Sequence, residues 1–484
     1  MPAAKRAFVM VWDGMRPDLV SPELTPNLAA LGAAGVRFQK NHAVFPTVTR
    51  INSASLWSGT LPIAHGIVGN SLYAPKVDPT AAISIGDHRS IYKLIEARGG
   101  RLIPTDTVPD RIHAAGGKTV VVSTGSPGSA FLCHPRVREC DGDRVYNQAV
   151  MLPDGAHDEF HARTGSRPDP TVPNTSENAH FTRAAVEWVL PDLNPTLMTF
   201  WHTDPDKTQH HTGFGSPQSL ESIRDADRHL GEMLEAYDQL GIAQETVFVV
   251  VSDHGYSTID PVVSLDDALS SFGLADDVAA GRLVLSPNGF TVFANVTNGD
   301  ADLVRRAAEA FMAWEHAGSV FTGSHGRPVI QGSLPLESVG LGGELAPDVA
   351  CAMAWDHGEN EHGLKGRSAG ADSKYLATHG GISPWEITNT LIMAGPGLKQ
   401  GLASSLPSGN IDVAPTLLHL LGISPPAGQH GRILTEALAD GPNPASISAE
   451  SRIIRAARPG YRQEAHFSSV GNTTYLDYGQ AWHD

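Results

Sequence analysis

Cysteine is scarce in this chain, with only Cys133, Cys140 and Cys351 among 484 residues. So sparse and odd a set makes no disulfide framework. Cys133 and Cys140 could close a small loop, but three separate thiols is the simpler expectation. Long apolar runs are missing too, since none reaches the ~18 residues of a membrane-spanning helix. Lys5 and Arg6 precede a short apolar run that leads straight into Asp13. No small-residue cleavage pattern follows, so the run reads as a first strand and not a secretory signal. A cytoplasmic location and no membrane partner are therefore expected. Cations are outnumbered, 35 Lys and Arg against 52 Asp and Glu, for a net charge of −17. That balance argues against bulk binding to nucleic acid polymers or anionic membranes, while a local site could still hold an anion. No internal repeats are visible, and a homo-oligomer is left open.

What is present is a set of short apolar runs, within a hydrophobic content of 41%. Phe8 to Trp12, Lys118 to Ser123, Thr196 to Trp201, Val247 to Val251 and Thr390 to Ala394 read as buried strands. Helical patterns alternate with them. Thr25 can cap a helix that has Pro26 at its first position and Gly35 at its end. Ser90 to Ala97 and 178–190 follow, and 219–240 puts Leu220, Ile223, Leu230, Leu234, Tyr237 and Leu240 on one face. This alternation predicts an α/β fold with a mostly parallel sheet covered on both faces. Residues 260–375 break the rhythm with a hairpin over Arg282 to Val296, a helix over Ala301 to Trp314 and glycine-rich sequence. They read as an inserted α+β cap domain, and 1–259 with 376–484 as the core. A hairpin is expected at Glu464 to Tyr478, turning at Gly471-Asn472.

Chemistry-bearing residues cluster just after these runs. Asp13 follows the first. Asp206 and His210 follow Trp201, with Asp204, His202 and His211 as rivals nearby. Asp253 and His254 follow Val251, and His379 sits in a Gly-rich loop before Thr390. The segment from Pro205 to Gly213 reads as a loop that lets two side chains face one ion. Thr49 starts a helical pattern whose first N–H groups could face an anion. Taken alone, each motif has an ordinary reading as a cap, a polar loop or a surface histidine. Together, carboxylates and imidazoles at the carboxyl ends of strands suit a two-metal site and hydrolytic chemistry on phosphorus.

In order, these motifs resemble the alkaline phosphatase superfamily, in particular its nucleotide pyrophosphatase/phosphodiesterase branch. The resemblance covers most of 7–260 and 375–425. FPTVTRINSASLWSGTLPIAHGI is similar to the family's nucleophile stretch, and DPDKTQHH, SDHG, THGG and IDVAPTLLHLLGI to its later motifs. It implies an alkaline-phosphatase-like three-layer sandwich around the sheet. It also implies two divalent metal ions. One would be held by Asp13, Thr49, Asp253 and His254, the other by Asp206, His210 and His379. Zinc suits mixed His and carboxylate ligands, with manganese and iron as alternatives. Thr49 takes the nucleophile position and Asn52 the phosphate-binding amide position. Arg50 could clamp a phosphate oxygen or serve as an ordinary ion-paired arginine.

The implied activity is hydrolysis of a small anionic phosphodiester or nucleotide-type substrate through a phosphothreonine. A phosphonate hydrolase or phosphomonoesterase on the same site is the alternative; a phosphoryl transferase and a non-catalytic metal-binding protein come after it. HGIVGN also resembles phosphonoacetate hydrolase. That enzyme type grips the substrate carboxylate with lysines after the second strand, and residues 119–206 here contain none.

Overall fold

The computed structural model describes residues 2–371 and 374–484. Its centre is a ten-stranded sheet. Thr246–Val251, Arg6–Trp12 and Leu197–His202 lie side by side and parallel, with Val11 opposite Val251 and Trp12 opposite His202. Thr119–Ser123 and Arg144–Asn147 extend the parallel set. These strands read as unbroken apolar runs because both faces are covered. Val9, Val11, Val249 and Val251 enter one core. Phe8, Met10, Phe248 and Val250 enter the other. Alternate side chains of one strand thus serve two layers of packing. On the far side Leu391–Ala394 returns antiparallel to Thr246–Val251, so the sheet is mostly parallel and not wholly so.

The helices follow the sequence pattern with local differences. Pro26–Ala34 begins and ends where expected. Its cap is not Thr25, whose hydroxyl donates to the Ser21 carbonyl. The Asp227 carboxylate accepts from the Asn27 and Leu28 N–H groups instead. Pro217–Gln239 buries Ile223, Leu230 and Tyr237, but Leu240 lies past its end and is 43% exposed. Among the described residues no helix is long and apolar enough to cross a membrane. All three cysteines are buried and free.

After Asp253-His254 the chain builds a five-stranded sheet from Leu283–Asn288, Thr291–Val296, Ala317–Thr322, Leu334–Pro335 and Val349–Met353. Phe293, Phe321 and Ala350 from it pack in the same apolar cluster as Val9 and Val251. The C-terminal hairpin is longer than expected, Tyr461–Val470 and Thr473–His483, and gains a third strand, Ala449–Arg458. It is tied to the five-stranded sheet by Gln463, which accepts from the Val320 N–H and donates to the Val320 carbonyl.

Candidate metal centre

Three adjacent parallel strands deliver residues within four positions of their ends to one edge of the sheet. Asp13 follows Trp12, and Asp253-His254 follow Val251. Gly14 takes a φ of +73°, and a Cβ there would stand 3.0 Å from the Tyr256 ring and 3.2 Å from the Asp206 Cβ. Glycine is therefore required for the turn that brings Asp13 and Asp206 together. The segment after Leu197–His202 is a helix, Asp206–Thr212, and not the loop expected from Pro205 and Gly213. Pro205 stands at its N-cap and Gly213 at its C-cap, so both residues bound the helix instead of breaking it. Asp206 and His210 then share a face by i, i+4 spacing. Ala377–Thr378 pairs with Ser257–Val262 and delivers His379 from the other side.

The six expected ligands form two groups: Asp13, Asp253 and His254, and Asp206, His210 and His379. The rivals are otherwise engaged. Asp204 accepts from the Asn174 and Thr208 N–H groups, His211 packs against Tyr375, and His202 points into a different cluster. His254 Nε2 is 3.4 Å from Asp13 Oδ1 and 3.2 Å from Asp253 Oδ2. Asp206 Oδ1 is 3.3 Å from both His210 Nε2 and His379 Nε2. Two ligand atoms bound at about 2.0–2.1 Å to one tetrahedral ion stand about 3.3–3.4 Å apart.

The donor set fits cations for two further reasons. Each histidine uses Nδ1 on a backbone carbonyl, that of Gly255, Ala377 or Thr47. Nδ1–H donation there leaves the Nε2 lone pair for an ion. In addition, Asp13 Oδ1, Asp206 Oδ1 and Asp253 Oδ2 are buried without a hydrogen-bond partner, a cost that a bound cation removes. Burial and then the Asp253 and Asp206 charges push the Asp13 carboxyl well above its ordinary range. For Asp206, burial is outweighed by the neighbouring His210 and His379, and its pKa is lowered.

Thr49 opens the helix Thr49–Ser58, and its Oγ1 lies 3.4 Å from His254 Nε2. A cavity of about 950 Å³ opens in front of it, walled by Arg50, Asn70, Asp206 and His379 and by Asn288 and Tyr375 of the insertion. Arg50 is thus brought to the site, and its Nε is buried without a partner. Asn52 is not. Its Nδ2 donates to the Val44 and Val48 carbonyls, and its Oδ1 accepts from the Val44 N–H and Asn410 Nδ2. All of its amide capacity is used inside the fold, which corrects its expected phosphate-binding role. The amide at the cavity is Asn70, whose Oδ1 accepts the Arg50 N–H at 3.0 Å. Asn70 thus lines the cavity with its amide oxygen already fixed. Asn70 lies 21 residues from Thr49 in an extended loop, and only the HGIVGN string marked its place.

A family model described as "Type I phosphodiesterase / nucleotide pyrophosphatase" matches residues 7–324. Venom phosphodiesterase of Naja atra is 24% identical over 255 residues, 51% of this chain and 26% of that protein. The Bos taurus protein named bis(5'-adenosyl)-triphosphatase ENPP4 is 22% identical over 438 residues, 87% of this chain and 79% of that one. A solved structure of murine ectonucleotide pyrophosphatase/phosphodiesterase 5 superposes with a TM-score of 0.65 at 18% identity, covering 90% of this chain and all of that one. An inactive form of the murine protein, in complex with AMP, gives 0.64 at 20%. At these identities the likeness shows the fold alone, which is the alkaline-phosphatase-like architecture expected from the sequence.

Proposed function

The chain belongs to the type I phosphodiesterase / nucleotide pyrophosphatase family, and from that membership we propose that it hydrolyses small phosphodiesters, nucleotide-type ones among them, with Thr49 as the nucleophile. The observation that carries the reading is the convergence of two three-ligand groups beside one threonine hydroxyl. Asp13, Asp253, His254 and Thr49 would hold one divalent ion, and Asp206, His210 and His379 the other. When bound, such ions supply positive charge that favours the alkoxide and stabilises the departing oxygen. Thr49 Oγ1 gives up its proton to solvent and forms a bond to phosphorus as the bond to the leaving alcohol breaks. The leaving oxygen takes a proton from water. A second water then attacks phosphorus, regenerating the Thr49 hydroxyl and releasing phosphate monoester. Asn70 Nδ2 and the Thr49 N–H at the start of Thr49–Ser58 would donate to the non-bridging oxygens as negative charge develops on them. The insertion supplies the outer cavity wall and would set substrate choice.

A second reading rests on Arg50. Arg50 and Lys374 both line the cavity, which favours a substrate carrying a further anionic group, as a phosphonate with a carboxylate or a phosphomonoester would. Comparing bis-p-nitrophenyl phosphate, p-nitrophenyl phosphate and phosphonoacetate on zinc-loaded protein separates the two. For the main reading the test is Thr49→Ala, which should lower kcat by at least about 10³-fold, the scale of losing a covalent nucleophile, with metal content unchanged. Retained turnover would end the phosphothreonine route.

A further inference from the structure

A second cluster of metal-type donors lies on the opposite side of the strand from the candidate centre. Trp201 turns toward that centre and donates its Nε1–H to Asp13 Oδ2 at 2.9 Å. Its neighbour His202 points the other way, as alternation along a strand requires, toward the helix Pro217–Gln239. There it meets Asp225 and His229, with ligand atoms all within 4.8 Å of one another. All three residues are at most 2% exposed.

Their hydrogen bonding leaves one donor atom on each of the three side chains unused. His202 Nδ1 lies 3.2 Å from the Asp204 carbonyl, and His229 Nδ1 lies 3.2 Å from Glu232 Oε2. Both partners are acceptors, so both Nδ1 atoms carry the proton and both Nε2 atoms present lone pairs. Asp225 uses Oδ1 on Arg228. What remains is His202 Nε2, His229 Nε2 and Asp225 Oδ2, each buried without a hydrogen-bond partner. The rival occupant is a proton shared by His229 and Asp225. Those atoms stand 3.4 Å apart, long for a charge-assisted bond of about 2.7–2.9 Å. It is the spacing of two ligands on one tetrahedral ion, and it recurs in the candidate metal centre.

We propose that His202, Asp225 and His229 hold a further divalent transition-metal ion, with zinc favoured by the two imidazoles and one carboxylate. It staples the strand Leu197–His202 to the helix Pro217–Gln239. The segment between them, 203–216, carries Asp206 and His210, so the ion braces two ligands of the candidate centre without touching it. The test is an anomalous-difference map at the zinc edge on zinc-equilibrated crystals of the full chain, paired with metal analysis of desalted protein. A peak between the three side chains is expected, and His229→Gln should contain one zinc fewer per chain than the unaltered protein. Absence of that peak, whatever the other sites hold, overturns the proposal, as does equal zinc content in the two proteins. Should His229→Gln fail to fold, the map on the unaltered protein decides alone.

Discussion

Replacing Asn52 and Asn70 separately by alanine should produce opposite phenotypes. Asn52→Ala strips four buried partners at once: the Val44 N–H, the Val44 and Val48 carbonyls, and Asn410 Nδ2. Each unsatisfied group costs about 1–3 kcal/mol, and partial relaxation brings the total to about 3–5 kcal/mol. With an unfolding entropy of about 2.1 cal/mol/K per residue, the 484-residue chain changes by about 1 kcal/mol per degree. Tm should then fall by about 3–5 °C, while the fraction that stays folded keeps much of its kcat. Asn70→Ala removes one acceptor for the Arg50 N–H at the edge of a wide cavity, where water can replace it, so Tm should move by about 1 °C or less. If its Nδ2 donates to the charge forming on phosphorus, kcat should drop about 10²–10³-fold, the scale of losing one such donor. Differential scanning calorimetry and steady-state kinetics on a chromogenic diester read both quantities. A stable Asn52→Ala with kcat down more than 100-fold, or an Asn70→Ala with unchanged kcat, would refute the assignment.

Three other outcomes follow from the same geometry. Gly14→Ala should lower kcat/KM at least about tenfold, since its Cβ meets Tyr256 and Asp206 in a left-handed backbone that costs roughly 1–2 kcal/mol; normal kinetics would show that Asp206 is held by something else. Dialysis against a chelator should abolish activity and lower Tm, because Asp13, Asp206 and Asp253 are left facing one another; ions at 1,000 times their Kd contribute about 4 kcal/mol, and a Tm indifferent to chelation would count against the centre. His65 accepts the Ile67 N–H at Nδ1 and is held down to about 3, by burial first and then by the Arg98 charge. Its folded pKa is depressed, so its contribution to stability is full above about 6.5 and fades as pH falls toward 3, at up to about 1.4 kcal/mol per pH unit; urea titrations at pH 7 and pH 5 should show a steeper loss for the unaltered protein than for His65→Gln.

The split between what the sequence disclosed and what it hid has a physical basis. Asp13, Asp253 and His254 were legible because an apolar strand must end, and a polar pair at that end sits where parallel strands place ligands. Thr49 was legible as a helix start. The Asp206–His210 spacing is legible but its conformation is not: Pro205 and Gly213 suggest a loop, yet proline is tolerated where a helix begins. Asn52 misled because the resemblance puts the phosphate-binding amide three residues after Thr49, whereas this side chain is drawn backwards by the Val44 N–H and carbonyl. Asn70 arrives from a loop with no periodicity to declare it, and Asn288 sits at the end of an expected hairpin strand whose position over the site no local pattern states.

Support for His379 was equally invisible, and it bears on how the insertion and the core act together. Gly380 has a φ of +101°, and a Cβ on it would stand 2.1 Å from the Asn288 carbonyl of the insertion. The Gly381 N–H donates to Glu386, a wholly buried carboxylate that also accepts from the Ser257, Ser368 and Ser383 hydroxyls. Ser257 and Ser368 belong to adjoining strands at the start and end of the insertion. The loop carrying the sixth ligand is therefore clamped between core and insertion through one carboxylate. Asn288 joins the same structure to the amide at the cavity, accepting from the Asn70 N–H at 2.7 Å. Sequence changes around Asn288 and Ser368 would thus reach both His379 and Asn70 through two or three hydrogen bonds. The cavity wall that carries Asn288 is in this fold also part of the frame that holds His379 and Asn70 in place.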